Sequence, residues 1–242
     1  MAIKRGSSAI KSALAENSGG GSSVAFTPFK PGMKYKVRIQ TVDDIVEYKC
    51  ASVYKVFNST AVASNDNLYQ KAAELLYADA KKVKDEAGNK ALRDQAYQIT
   101  PKPKYILGAV DLETGQKAFF DLTKNQAKAV ITMLQKKAKK LATTAFELEK
   151  VGDGTNTTAT LTQLDEDELD AKELAAFEKA AEIEFTDEDF ESLVQERSHE
   201  EQLEDIYAFD RKLAERLDDS KVGGASGNTI EADDAEGLDL PF

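Results

Sequence analysis

Between Lys34 and Gln40, the apolar residues Tyr35, Val37 and Ile39 alternate with Lys34, Lys36, Arg38 and Gln40. A period of two predicts a half-buried strand, with three cations on one face. The turn Lys30-Pro31-Gly32 leads into it. A second strand-like stretch runs from Ile45 to Phe57, where Tyr48, Tyr54 and Phe57 lie among Val46, Val53 and Val56, with Lys49 and Lys55 interleaved. Over 67–86 the period changes: Leu68, Ala72, Leu75, Leu76 and Val83 share one helix face. This helix reads as an insertion between strands, broken by Gly88-Asn89.

Strand signals return at 105–110 and 118–122 across a turn at 113–116, the pattern of a β-hairpin. Thr123 and Gln126 then form a capping box. Ala127, Val130, Ile131, Leu134, Ala138 and Leu141 predict the buried stripe of the helix that follows. Lys136, Lys137, Lys139 and Lys140 crowd its end, where cations suit the macrodipole and could also hold phosphates. Residues 146–149, a Gly152-Asp153-Gly154 turn and a Thr-rich stretch through Thr160 to Thr162 predict a final hairpin. From Leu164 the chain reads as acidic helices, with Leu169, Leu174 and Phe177 on one stripe. A second helix, capped by Thr186, carries Phe190, Leu193, Val194, Leu203, Ile206, Tyr207 and Leu213.

Charge changes this picture more than bulk composition does. The 242 residues carry a formal net charge of -11, yet the two signs are segregated. Residues 1–150 hold 25 Lys+Arg against 15 Asp+Glu, and residues 151–242 hold 7 against 28. A basic body joined to an acidic C-terminal part is expected of an anion-binding domain that carries its own competitor. With 41% apolar residues the chain can bury a core, and its apolar runs are far too short to cross a bilayer, so a soluble, cytoplasmic protein is expected. The expected organisation is a flexible basic arm over 1–23, a strand-rich core over 24–163, an acidic helical region over 164–221 and a flexible acidic tail over 222–242.

The chain ends Glu231-Ala-Asp-Asp-Ala-Glu-Gly-Leu-Asp-Leu-Pro-Phe242, a segment that cannot fold by itself yet presents Leu238, Leu240 and Phe242. A basic pocket accepting a phenyl ring beside a carboxylate would hold such a tip. The ending resembles the acidic tip of bacterial single-stranded DNA-binding proteins. That resemblance implies partner binding through Asp233, Asp234, Asp239, Leu240, Pro241 and Phe242.

The body, in turn, resembles the tailed-phage single-stranded DNA-binding (helix-destabilising) proteins. The shared order is a basic arm with Ser, a Tyr-x-Val-Arg-Ile first strand, an insertion, a long strand pair around Tyr105 to Leu122, a helix, a final strand pair and an acidic C-terminus. The resemblance implies a β-dominated α+β fold built on a five-stranded oligonucleotide-binding (OB) barrel with a helical insertion. It also implies contact between neighbouring protomers through Lys4, Arg5, Ser7 and Ser8, and action in phage DNA replication, recombination and repair in the bacterial host cytoplasm. Several family members hold zinc in the insertion through His and Cys. Here that stretch has neither, so no structural zinc and no other cofactor are expected. Cys50 is expected to be small and buried, and His199 solvated.

The leading expectation is a non-enzymatic protein that binds single-stranded DNA without regard to sequence, tracking phosphates with cations and stacking bases on rings. Candidate phosphate contacts are Lys34, Lys36, Arg38, Lys49, Lys55, Lys102, Lys104 and Lys117. Candidate stacking rings are Tyr35, Tyr48, Tyr54, Tyr105 and Phe119, some of which strand alternation must place in the core. The tail is expected both to compete for the groove and to recruit replication and recombination proteins. An acidic protein-interaction or DNA-mimic protein is the alternative, but it leaves the basic body without a purpose. A carboxylate nuclease is disfavoured, because acidic runs are usually solvated faces and no nucleophile and base pair, P-loop or metal-binding His pair is present.

Overall fold

The computed structural model describes residues 25–62, 67–154, 156–194 and 196–219. The arm residues Lys4, Arg5, Ser7 and Ser8, and the tail residues Asp233, Asp234, Asp239, Leu240, Pro241 and Phe242, lie outside them. The fold is a β-rich α+β arrangement with a curled, half-barrel antiparallel sheet and, among the described residues, seven α-helices. The chain divides into two units interleaved in sequence. One holds 25–51, 59–62 and 101–197, and the other 52–58, 67–100 and 198–219.

The sheet has seven strands: β1 Lys34–Arg38, β2 Ile45–Val53, β3 Phe57–Val62, β4 Lys102–Asp111, β5 Gln116–Thr123, β6 Ala145–Val151 and β7 Thr158–Leu164. Its order is β3-β2-β4-β1-β6-β7, with β5 on the other edge of β4. One edge of β4 serves two neighbours in succession: Lys102 to Leu107 face β2, and Val110 and Asp111 face β1. The chain therefore turns a corner between β1 and β2. There the Asp44 carboxylate accepts hydrogen bonds from the backbone N–H groups of Gln40 (3.0 Å) and Thr41 (2.9 Å). The expected single strand over Ile45–Phe57 is instead two strands, because the chain reverses at 54–56 with Lys55 at φ 64°.

The expected capping box begins α3, Lys124–Lys137 (the third of the helices). Gln126 and Thr123 reciprocally satisfy two backbone N–H groups at the helix start. The helix lays Ala127, Val130 and Leu134, followed by Leu141, against Val37, Ile39, Leu107, Phe120, Phe146 and Leu148 on the inner face of the sheet. Ile131 is only partly buried and Ala138 is exposed, so the stripe is narrower than its periodicity suggested. On the opposite face, Ile106 and Phe119 meet Phe190, with Phe185, Val46 and Tyr48 packed around them.

That covering comes from the acidic region. Helices α4 (Ala171–Lys179) and α5 (Asp187–Glu191) begin at Asp170 and Thr186, each closing a capping box with the residue three positions into its helix. The single long helix expected after Thr186 is broken. α5 ends at Glu191, and a new capping box at Ser198 starts α6, His199–Phe209, followed by α7, Arg211–Asp219. His199 is exposed at the start of α6, while Cys50 is buried and burial pushes its thiol pKa up.

In the second unit, α1 (Leu68–Lys82) packs against α2 (Glu86–Ile99), α6 and α7. Gly88-Asn89 does not end the first helix, which stops at Lys82. Instead Asp85 caps the second by accepting the Gly88 N–H at 2.7 Å. Buried Tyr69 stacks on Phe57, centroids 5.3 Å apart, and donates its hydroxyl to Asp205 at 2.6 Å. Arg216 and Lys82 both hydrogen-bond Asp79, holding its carboxyl below the ordinary 3.8. A depressed carboxyl contributes stability above its unfolded pKa and loses it as pH falls through the folded one. Acid unfolding below about pH 3.8 is therefore expected to be shallower in Asp79→Asn than in the parent, as followed by helical circular dichroism. Matching curves would remove the tie between α1 and α7 as an acid-sensitive contact.

Candidate nucleic-acid interface

Strand alternation sends Tyr35, Val37 and Ile39 inward and Lys34, Lys36 and Arg38 outward, as their period predicts. The pairing of β1 with β6 sets Glu147 and Glu149 beside the outer cations, opposite Lys36 and Lys34 respectively. Lys34 approaches both carboxylates, at 3.0 and 3.3 Å, and their hydrogen bonds raise its pKa. Lys36 pairs with Glu173 at 2.8 Å and donates to the Glu168 carbonyl at 2.7 Å. Arg38 lies beneath α4, donating to the Phe177 carbonyl with its guanidinium 4.4 Å from that ring's centroid. Burial lowers its pKa, and its Nε has no hydrogen-bond partner among the described residues.

The same segment reaches β5. Lys117 pairs with Asp189 at 2.7 Å and lies over the Phe185 ring. Burial pushes the Asp189 carboxyl up, but hydrogen bonds from Lys117 and Thr186 outweigh it and leave the pKa below its ordinary value. Phe119, 2% exposed, meets Phe185 and Phe190 edge-on. Gly108 leaves room for both rings, since a Cβ there would lie 2.9 Å from Phe185. Residues 165–194 thus cover part of the sheet face that carries the expected phosphate contacts.

The remaining candidates divide. Tyr48 donates to Asp121 at 2.9 Å, and burial followed by that carboxylate pushes its pKa far up. Lys104 pairs with the same Asp121 at 2.6 Å. Tyr35 packs on Phe29 and Phe120, and burial raises its pKa. Tyr105 is half-buried against the inner core, its pKa raised first by a hydrogen bond to Glu47 and then by burial. Lys49 and Lys102 are exposed on β2 and β4, and each engages other groups.

Tyr54 and Lys55 are at the tip of the β2–β3 hairpin. The Tyr54 ring is 87% exposed, with the Lys55 ammonium 5.2 Å from its centroid. Comparison of the chain with protein-family models, curated proteins and solved structures finds no match. The site therefore rests on its own geometry. Among the described residues, no group of three or more His, Cys, Asp or Glu is placed to hold a metal ion, and no helix is long and apolar enough to cross a membrane.

Periodicity alone does not say where the acidic helices pack. The signal was present in Phe177, Phe185 and Phe190, apolar groups within a strongly acidic run that need a surface to cover them. What no spacing rule supplies is that this surface is the cationic face of the same sheet.

Proposed function

We propose that this protein binds single-stranded DNA without sequence preference and without catalysis, as a phage-type helix-destabilising protein whose curled sheet is the half-barrel of an OB-type domain. The observation that carries the reading is the hairpin tip. Tyr54 offers an open ring with a cation beside it, the pairing that a stacked base and its phosphate require. The segregation of charge supports it, as does a sheet curled by two strands sharing one edge of β4. In this reading the arm links neighbouring protomers on the strand, and the tail beyond Asn228 competes for DNA and recruits replication and recombination proteins.

Fluorescence anisotropy with labelled single-stranded and duplex DNA, at several salt concentrations, tests the reading. The full chain is expected to prefer the single strand and to weaken with salt, while a chain ending at Asn228 binds more tightly at low salt. Tyr54→Ala is expected to cost about 1–3 kcal/mol, roughly 5- to 150-fold in affinity. Absence of single-strand binding by both chains would overturn the proposal.

A further inference from the structure

We propose that the lysine face of α3 and of the 3-10 turn that extends it is a phosphate-binding surface for the single strand, formed by Lys128, Lys136, Lys139 and Lys140. The assignment rests on the DNA-binding reading above and deepens it by locating the backbone contacts.

Between Asp121 and Glu147 the chain has no acid, yet it holds Lys124, Lys128, Lys136, Lys137, Lys139 and Lys140. The cations of the outer sheet face are different: Lys34, Lys36, Lys104 and Lys117 each lie within 3.3 Å of a carboxylate. Lys128, Lys136, Lys139 and Lys140 are exposed, and among the described residues none has a carboxylate partner. Lys137 instead donates to Gln163 at 2.8 Å.

Helix chemistry accounts for only part of this pattern. Lys136 and Lys137 occupy the last turn of α3, where a cation is favoured by about 0.3–1 kcal/mol. Lys128 lies outside the last turn, where the dipole gives a cation no such support. Lys136, Lys137, Lys139 and Lys140 bring four like charges onto neighbouring turns, an arrangement that is unfavourable in the absence of a counter-charge. The face is thus electrostatically unfavourable alone and is relieved by a polyanion.

Its shape suits one. Lys128 and Lys136 share an open, shallow surface with Asn125, Ala129, Thr132 and Met133. Ala129 and Thr132 are small, and the partly buried Met133 thioether gives a soft apolar contact for a sugar or base edge. Ammonium groups bind phosphate as point charges that carry no base information, as sequence-independent binding requires.

The test compares the full chain with the combined variant Lys128→Ala, Lys136→Ala, Lys139→Ala, Lys140→Ala, titrating a labelled oligo(dT) across salt. Loss of four phosphate contacts lowers the slope of log affinity against log salt by about 2.8, so a fourfold rise in salt weakens the parent about 50-fold more than the variant. The matching four-arginine variant is expected to keep the parent slope. Acetylation footprinting of the unsubstituted chain provides a second readout, with oligo(dT) expected to protect these four lysines. Parent-like slope and affinity in the alanine variant, with Tyr54→Ala still weakening binding, would overturn this assignment and leave the DNA-binding reading standing. No binding by the parent chain would overturn both. If the lysines were protected without DNA, became reactive when the chain ended at Asn228 and were not protected again by adding oligo(dT) to that shortened chain, their occupant would be the chain's own tail alone, and the assignment to DNA would fall.

Discussion

Phe119→Ala is expected to cost about 3–5 kcal/mol, the usual range for truncating a buried phenylalanine. It is also expected to release the acidic segment from the sheet. The ring is 2% exposed, and its centroid lies 5.6 Å from those of both Phe185 and Phe190. These contacts bring Asp189 to Lys117, so losing the ring leaves that ion pair without its apolar support. Denaturant unfolding measures the cost. Limited proteolysis with a Glu-specific protease measures the release, with cleavage expected first within 165–194. An unchanged cleavage order would show that the segment is held by something other than this aromatic cluster.

The neighbouring substitution Phe120→Ala is expected to cost a similar 3–5 kcal/mol with a different outcome. Phe120 points to the inner face, where it is fully buried against Phe29 and Tyr35 at centroid distances of 5.3 and 5.0 Å. Its loss opens a cavity in the core that joins β5 to α3, so the sheet and helix weaken together and no early cleavage of 165–194 is expected. Two adjacent residues thus separate the two faces of one strand. If both variants lost stability and also shed the acidic segment alike, the assignment of Phe119 and Phe120 to different clusters would be wrong.

Much of the fold was legible because alternation and capping are local. Tyr35, Val37 and Ile39 announced β1, and Thr123 with Gln126 announced the start of α3. Other features depended on partners distant in sequence. The reversal at Lys55 needs a positive φ in a residue that rarely adopts one, so the β2–β3 turn had no glycine to mark it. Gly88 looked like a stop, yet it falls in the first turn of α2, where the N–H it offers Asp85 outweighs its poor helix propensity. For the candidate interface, the sequence marked which side chains are cations but not which are already neutralised. Lys36 and Lys117 read as free phosphate ligands until their partners from the acidic region are located.

Covering Lys36 and Lys117 with carboxylates of the same chain has a consequence best put as a concentration. The loop 165–170 is all that joins β7 to α4, and so short a tether holds its acidic groups near the sheet at an effective concentration in the millimolar range. A separate acidic peptide at micromolar levels, with the same intrinsic affinity, would scarcely displace it. Only a ligand that brings many linked charges at once competes on equal terms. In the DNA-binding reading proposed above, the acidic segment would act as a threshold, screening this face from isolated anions while leaving it answerable to a long polyanion.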